Sequence, residues 1–176
     1  MASLVDRMIR ASKLDVDLYE EVEADQGSMG QAVTVVIISS IASGIGSMGV
    51  IGLGGLIIGT VAALVGWVAW AFIAYIIGAK LLPEPQTKAD VGELLRTTGF
   101  ASSPGVLRIL AFIPLVGTVV SFGASIWMLI AMVIAVRQAL DYKSTWRAIL
   151  VCVIGFIIYI VIVGFILSFF LPSAVI

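Results

Sequence analysis

Apolar residues crowd this chain into five long runs, and only the first 28 positions keep a helical alternation of apolar and polar residues. Within residues 1–28, Leu4, Val5, Met8 and Ile9 recur at helical spacing, as do Leu14, Leu18 and Val22 with Tyr19 beside them. This predicts two short amphipathic helices over roughly 2–11 and 13–24. Ser12 or Asp15 stands where a short side-chain oxygen accepts a free backbone N–H at the second helix start. Arg7, Arg10 and Lys13 make the first helix positive, suited to lie on anionic headgroups. Asp15, Asp17, Glu20, Glu21, Glu23 and Asp25 make the second negative, so it is expected to dock on protein or project into water.

Beyond Gly27 and Ser28 the alternation gives way to uninterrupted apolar sequence. The runs predict spans at about 29–48, 53–82, 99–113, 115–136 and 149–171. The second has 30 positions and as a helix would reach about 45 Å, against a hydrocarbon core of ~30 Å. It is expected to tilt or to emerge at one end, which Pro83 and Pro85 terminate. Residues 83–98 form a polar loop in which 90–98 is expected as a short interfacial helix, with Val91, Leu94 and Leu95 on one face. The third run has only 15 residues and carries Pro104 and Arg108, so two readings stand, a short tilted crossing or a re-entrant segment. Pro114 and Gly117 are expected to turn the chain, and Pro172 to stop the last span.

Composition turns the runs into a membrane assignment. Hydrophobic residues make up 61% of the chain and charged residues 12%. Soluble domains carry roughly 45–50% and about 25%. The expected fold is an all-α integral membrane protein of five transmembrane helices (residues 29–176), preceded by a cytoplasmic amphipathic segment (residues 1–28). No cleaved signal peptide is expected from the charged start. The net charge of −1 gives no case for nucleic acid. Cys152 is the one cysteine, so no intrachain disulfide forms, and it reads as a small buried hydrophobe.

Five crossings put the N-terminus, residues 83–98 and residues 137–147 on one side. That side holds Arg7, Arg10, Lys13, Lys80, Lys88, Arg96, Arg137, Lys143 and Arg147, nine of the ten basic residues. The excess of positive charge then predicts a multi-pass protein of the cell (inner) membrane, N-terminus cytoplasmic and C-terminus outside.

Several short segments carry a family resemblance. They are DLYEEVEAD at 17–25, a glycine-rich first hairpin, GFASSPGVLRIL…IPLVG across 99–117, Trp127, and VRQALDYKSTWRAI at 136–149. Together they resemble the YIP family, membrane proteins named for interaction with Ypt/Rab GTPases, in its prokaryotic branch. The resemblance implies five transmembrane helices with a cytoplasmic N-terminus. It implies no established activity for that branch.

Among candidate site residues, Arg108 is the most informative, because a charge in a span costs at least ~2.5–3.5 kcal/mol on insertion scales. Either it binds a lipid phosphate, an anionic solute or an acidic side chain, with Glu93 and Asp141 as candidate partners, or it reaches to the headgroups or satisfies span-end carbonyls. Asp17, Leu18, Tyr19 and Glu20 form a candidate interaction or docking face. Their acids lack histidine and an EF-hand ligand order, so no metal is expected. Gly55, Gly59, Gly117, Ser121 and Ser125 are small residues at helical spacing, suited to intrachain packing or to self-association. Trp67, Trp70 and Trp127 read as lipid-facing or packing residues.

The chain has no histidine and no clustered nucleophile with a base, so neither an enzyme nor a cofactor is expected. The function expected is a non-enzymatic membrane scaffold or accessory subunit. It would bind itself as a homo-oligomer, other membrane proteins in a larger complex, or lipid, including anionic lipid. The alternative is a small transporter or channel organised around Arg108 and the Pro104/Pro114 breaks.

Overall fold

In the computed structural model, residues 2–113 and 116–170 are described. The expected turn at Pro114, the start of span four at residue 115, and the stop at Pro172 lie outside the described residues. Every regular element among the described residues is helical.

The two N-terminal helices form where their caps predict. Ser3 Oγ accepts from the Asp6 N–H at 3.1 Å and starts α1 (Leu4–Ser12). Asp15 Oδ1 accepts from the Asp17 N–H at 3.1 Å and starts α2 (Val16–Ala24). Arg7 and Arg10, two of the bases that suited the first helix to headgroups, are taken up by acids of the chain itself. Arg7 pairs with Glu21 at 2.8 Å and Asp25 at 2.9 Å, while Arg10 pairs with Asp15 at 2.7 Å and Glu21 at 2.6 Å. Arg7 is only 4% exposed. The acids of α2 thus neutralise the bases of α1, and the pair docks as one unit. Ala11, Leu18, Tyr19 and Val22 enter a core with Ala32, Phe100 and Ala135.

A short turn at Gln26–Ser28 leads into α3 (Met29–Gly46). Next comes α4 (Met48–Tyr75), kinked at Gly52, whose φ of 62° is open to glycine at little cost. A π-helical turn, Ile76–Leu81, continues it. The stretch Gly52–Leu81 has 30 residues, long enough to leave the bilayer at one end as its length required. After the loop, α5 (Val91–Ala101) opens with a capping box between Asp90 and Glu93. It is longer than the interfacial helix expected, and it is buried from Leu94 onward except at the half-buried Leu95.

The third apolar run is a broken helix. Pro104 lacks an N–H, and α5 gives way at Ser102 to a 3-10 segment, Ser103–Phe112. The Phe100 carbonyl, which Pro104 has no N–H to reach, accepts from Ser103 Oγ at 2.7 Å, and the Ser102 carbonyl accepts both the Gly105 N–H at 2.9 Å and Ser39 Oγ at 2.7 Å, so the break is satisfied inside the protein. This segment runs beside α3 in the same direction: Gly99 lies against Ala32, Gly105 against Ser39, and Gly46 against Arg108 and Ala111. From Ala32 to Gly46, α3 advances about 21 Å. The broken helix advances with it over that length, which accords with a fifth crossing. At Gly46 the backbones approach so closely that an added methyl would overlap the Arg108 carbonyl oxygen.

The chain then returns along α6 (Val116–Ala139) and makes its last crossing in α7 (Thr145–Phe170). Four stretches (26–46, 52–81, 116–139 and 145–166) are continuous helices long and apolar enough to cross a membrane. The broken helix is the fifth. Both polar loops meet at one end. Tyr142 Oη donates to the carbonyls of Gly78 and Leu82 at 2.9 and 2.8 Å, and the Lys143 N–H donates to Glu84 at 3.0 Å. Gln138 donates to Glu20 at 2.8 Å, which brings the N-terminal unit to the same end. Of the basic residues that the charge count grouped on one side, Lys143 and Arg147 meet the 83–98 loop at Glu84.

Candidate intramembrane binding site

Between α3, the broken helix and α6 on one side and α4 and α7 on the other lies a cleft of about 950 Å³. Its wall is mostly apolar, and Leu129, Phe156 and Ile157 on its rim are exposed to the surroundings. Polar groups collect toward the end away from the charged loops, where Ser43 and Ser47 of α3 share the lining with Arg108 and Ser125. The other end is lined by Met132, Val133, Ile149 and Cys152. Beyond them Ala71, Ala74, Val136, Ala139 and Val151 fill the bundle as a buried cluster.

Arg108 reaches this cleft because the 3-10 backbone is pressed against Gly46 and the side chain extends back toward α6. Its Nη2 donates to Ser125 Oγ at 2.8 Å, and Ser125 Oγ donates to the Ser121 carbonyl at 2.7 Å. The partner is therefore a hydroxyl. Glu93 and Asp141, the acids weighed from sequence, are engaged elsewhere. Glu93 accepts from the Asp90 N–H at 2.8 Å and Asp141 from the Lys88 N–H at 3.3 Å, both at the charged end.

The small residues divide between two roles. Gly117 is buried against the Ala111 backbone, where a side chain would collide. Gly55 and Gly59, with Ala63 and Gly66, line the cleft, and a methyl at Gly59 would meet nothing within 4 Å. The close helix approaches of the bundle use Gly46, Gly99 and Gly105 instead. Leu18 and Tyr19 are fully buried, with Tyr19 Oη donating to the Ala11 carbonyl at 3.3 Å, while Asp17 and Glu20 stay exposed. The tryptophans tie elements together. Trp67 Nε1 donates to Thr98 at 3.1 Å, Trp70 Nε1 to Met132 Sδ at 3.2 Å, and Trp127 Nε1 to the Ser12 carbonyl at 2.7 Å.

One residue of the helix expected over 90–98, not singled out as a site residue, organises the docked unit. Arg96 of α5 is 6% exposed, and its Nε donates to the Val22 carbonyl at 2.9 Å and its Nη2 to the Glu23 carbonyl. It satisfies the free carbonyls at the C-terminus of α2 and places a cation where the helix dipole favours one. A capping box at 90–93 marks a helix start, and Arg96 three residues on would have been the signal. Around it, burial and the like charges of Asp141, Glu93 and Glu20 push the Glu23 carboxyl up to about 7. Burial raises Glu93 as well. The guanidinium hydrogen bonds hold Asp15 and Glu21 (Arg10 first) and Asp25 (Arg7) below the usual carboxylate range. Among the described residues no cluster of acids or cysteine is arranged to hold a metal ion.

Five crossings, a polar cap folded onto one end and a cleft within the apolar bundle define a polytopic membrane protein. A sequence profile of the Yip1 domain matches residues 17–166, and the chain belongs to that family. The match begins within the DLYEEVEAD segment and takes in every crossing. Comparison with curated proteins and with solved structures found no match.

Proposed function

We propose that this Yip1-domain protein is a non-enzymatic membrane scaffold that holds a hydrophobic membrane component in its cleft. The observation that carries this reading is the cleft itself, about 950 Å³ of mainly apolar wall, within the range of ligand sites and bordered by exposed apolar side chains. In water such a surface would collapse. In a bilayer it is filled by hydrocarbon, from lipid or from a neighbouring helix. The transport alternative draws on the broken helix and on Arg108, but a polar path would have to pass the buried cluster around Ala74 and Val136.

A photo-crosslinking residue at Leu129, on the cleft rim, is expected to give a discrete adduct in native membranes. The same residue at Ile160, exposed but outside the cleft, serves as the comparison. Equal, diffuse labelling from both positions would refute the reading. For orientation, the positive charge clustered at one end supports a cytoplasmic N-terminus in a cell membrane. With Cys152 replaced, a cysteine at Phe112 should label from outside an intact cell and one at Lys88 should not. The reverse pattern would overturn that orientation.

A further inference from the structure

We propose that the cleft takes an anionic phospholipid, its phosphate on Arg108 and its acyl chains along the walls of α4 and α7. This rests on the reading of the cleft as a hydrophobic binding site and names its occupant.

Arg108 is distinguished from the other enclosed arginines by how its charge is balanced. Arg7 meets two carboxylates, and Arg96 meets the C-terminal carbonyls of a helix. Arg108 has one neutral hydroxyl, and no carboxylate of the described residues lies within ion-pair distance. A guanidinium carries five N–H donors in a planar fork, and Ser125 takes one of them. The remainder fit two oxygens of a phosphodiester, the geometry at which arginine outperforms a point charge. Ser43 and Ser47 supply hydroxyls at the same end.

The rest of the cleft fits hydrocarbon. From Gly55 to Trp70 the α4 wall runs about 22 Å, more than the ~15 Å of one leaflet's acyl region. Gly55, Gly59 and Ala63 keep that wall shallow enough to seat a chain up to Gly66, which Tyr159 of α7 covers, and the far wall ends in Cys152 and Val153 with no charge. One end for an anion and a long apolar groove for tails is the complement of a phospholipid lying in the leaflet opposite the charged loops.

The test is native mass spectrometry of the full chain in mild detergent. Phosphatidylglycerol and phosphatidylcholine of identical chains are added in equal amounts. The wild type is expected to retain one phosphatidylglycerol at least tenfold over phosphatidylcholine. Arg108→Gln should abolish that preference, and Arg108→Lys should keep part of it. Leu129→Trp, which adds an indole at the cleft rim and leaves Arg108 in place, should weaken retention of both lipids. Loss of helicity in Arg108→Gln would leave Leu129→Trp to decide, and full phosphatidylglycerol retention there overturns the proposal. Equal retention by wild type and a folded Arg108→Gln overturns it too, as does a wild type without headgroup preference. Displacement by millimolar inorganic phosphate alone would make the site a free-anion site, and stoichiometric displacement by oleate a carboxylate site; either result is fatal to the phospholipid assignment. A Leu129 adduct that persists without headgroup preference refutes this inference and leaves the cleft reading standing. Absence of that adduct removes both.

Discussion

Replacing Arg96 by methionine should release α2 from the bundle without unfolding the crossings. The side chain is nearly enclosed, and two of its N–H groups end on carbonyls of Val22 and Glu23. Hydrogen bonds to a charged group contribute about 1.5–3 kcal/mol each. Three considerations reduce the sum. The Val22 carbonyl keeps a second donor in Ser28 Oγ at 3.1 Å. Methionine retains much of the apolar stem contact. Removing a buried cation also recovers part of its desolvation cost. A net loss of about 2–3 kcal/mol remains, concentrated on one helix end. With tenfold per ~1.4 kcal/mol, amides of α2 should exchange about 30- to 150-fold faster. Hydrogen-exchange mass spectrometry resolves this by peptide, and α1 should follow α2 because Arg7 and Arg10 tie them together. Arg96→Lys, which keeps the charge but loses the fork, should fall between. Exchange in α2 within threefold of wild type would refute the capping argument. Faster exchange spread evenly over α6 and α7 would show that Arg96 supports the bundle and not α2.

Three further outcomes follow from the same contacts. A free glutamate titrates near 4.5 and the docked Glu23 near 7, so the folded protein holds the extra proton between those values. Docking stability is then greatest near pH 4.5 and falls by about 1–2 kcal/mol, after discounting solvent screening of this half-buried group, as pH rises to about 7. Glu23→Gln should flatten that slope in hydrogen exchange; an unchanged slope would assign it to another group. Gly46→Ala places a methyl on the Arg108 carbonyl and should lower the melting temperature at a cost of about 1–3 kcal/mol, while Gly54→Ala, with open space around it, should not. Trp127→Phe removes the bond to the Ser12 carbonyl and should raise exchange at the α1 C-terminus about tenfold, a loss near ~1 kcal/mol, with α3 unaffected.

Much of the architecture was legible because lipid imposes long apolar runs, and helical spacing with caps marks the rest. Asp15 starts the second helix as one of the two caps weighed for it, and the charge grouping that supported five crossings has its counterpart in the joined loops. The pairing of α1 with α2 was less legible, because Arg7 and Glu21 are 14 residues apart and only the fold of the turn between them brings them together. Ser125 as the partner of Arg108 was legible only as a small residue on a helix face. An acidic side chain was one of the partners weighed, and among the described residues the structure supplies none within ion-pair distance. Gly55 and Gly59 were legible as a small-residue face but not as a cleft wall. Gly55 and Gly59 have the spacing of a helix contact, yet that spacing also describes a wall kept low, and only the position of α7 separates the two.

Where the polar ties sit explains why the cleft exists. Trp67 to Thr98, Trp70 to Met132, Tyr142 to Gly78 and Arg147 to Glu84 at 3.4 Å all join α4, α6 and α7 to their neighbours from mid-span to the charged end. Toward the other end, α4 and α7 present Leu53, Ile57, Phe165 and Ile166 outward. Lipid tails are as apolar as these side chains, so no hydrophobic force draws the two helices together there. The third crossing, by contrast, is held along its length by Gly46, Ser39 and Gly105 against α3 and α6. One half of the far bundle is therefore fastened and the other only spaced, and the gap between them opens beside the cation. A substitution at the cleft rim, such as Leu129→Trp, should leave the exchange pattern of the joined loops unchanged, because the ties from Tyr142 to Gly78 and from Arg147 to Glu84 lie outside the cleft lining.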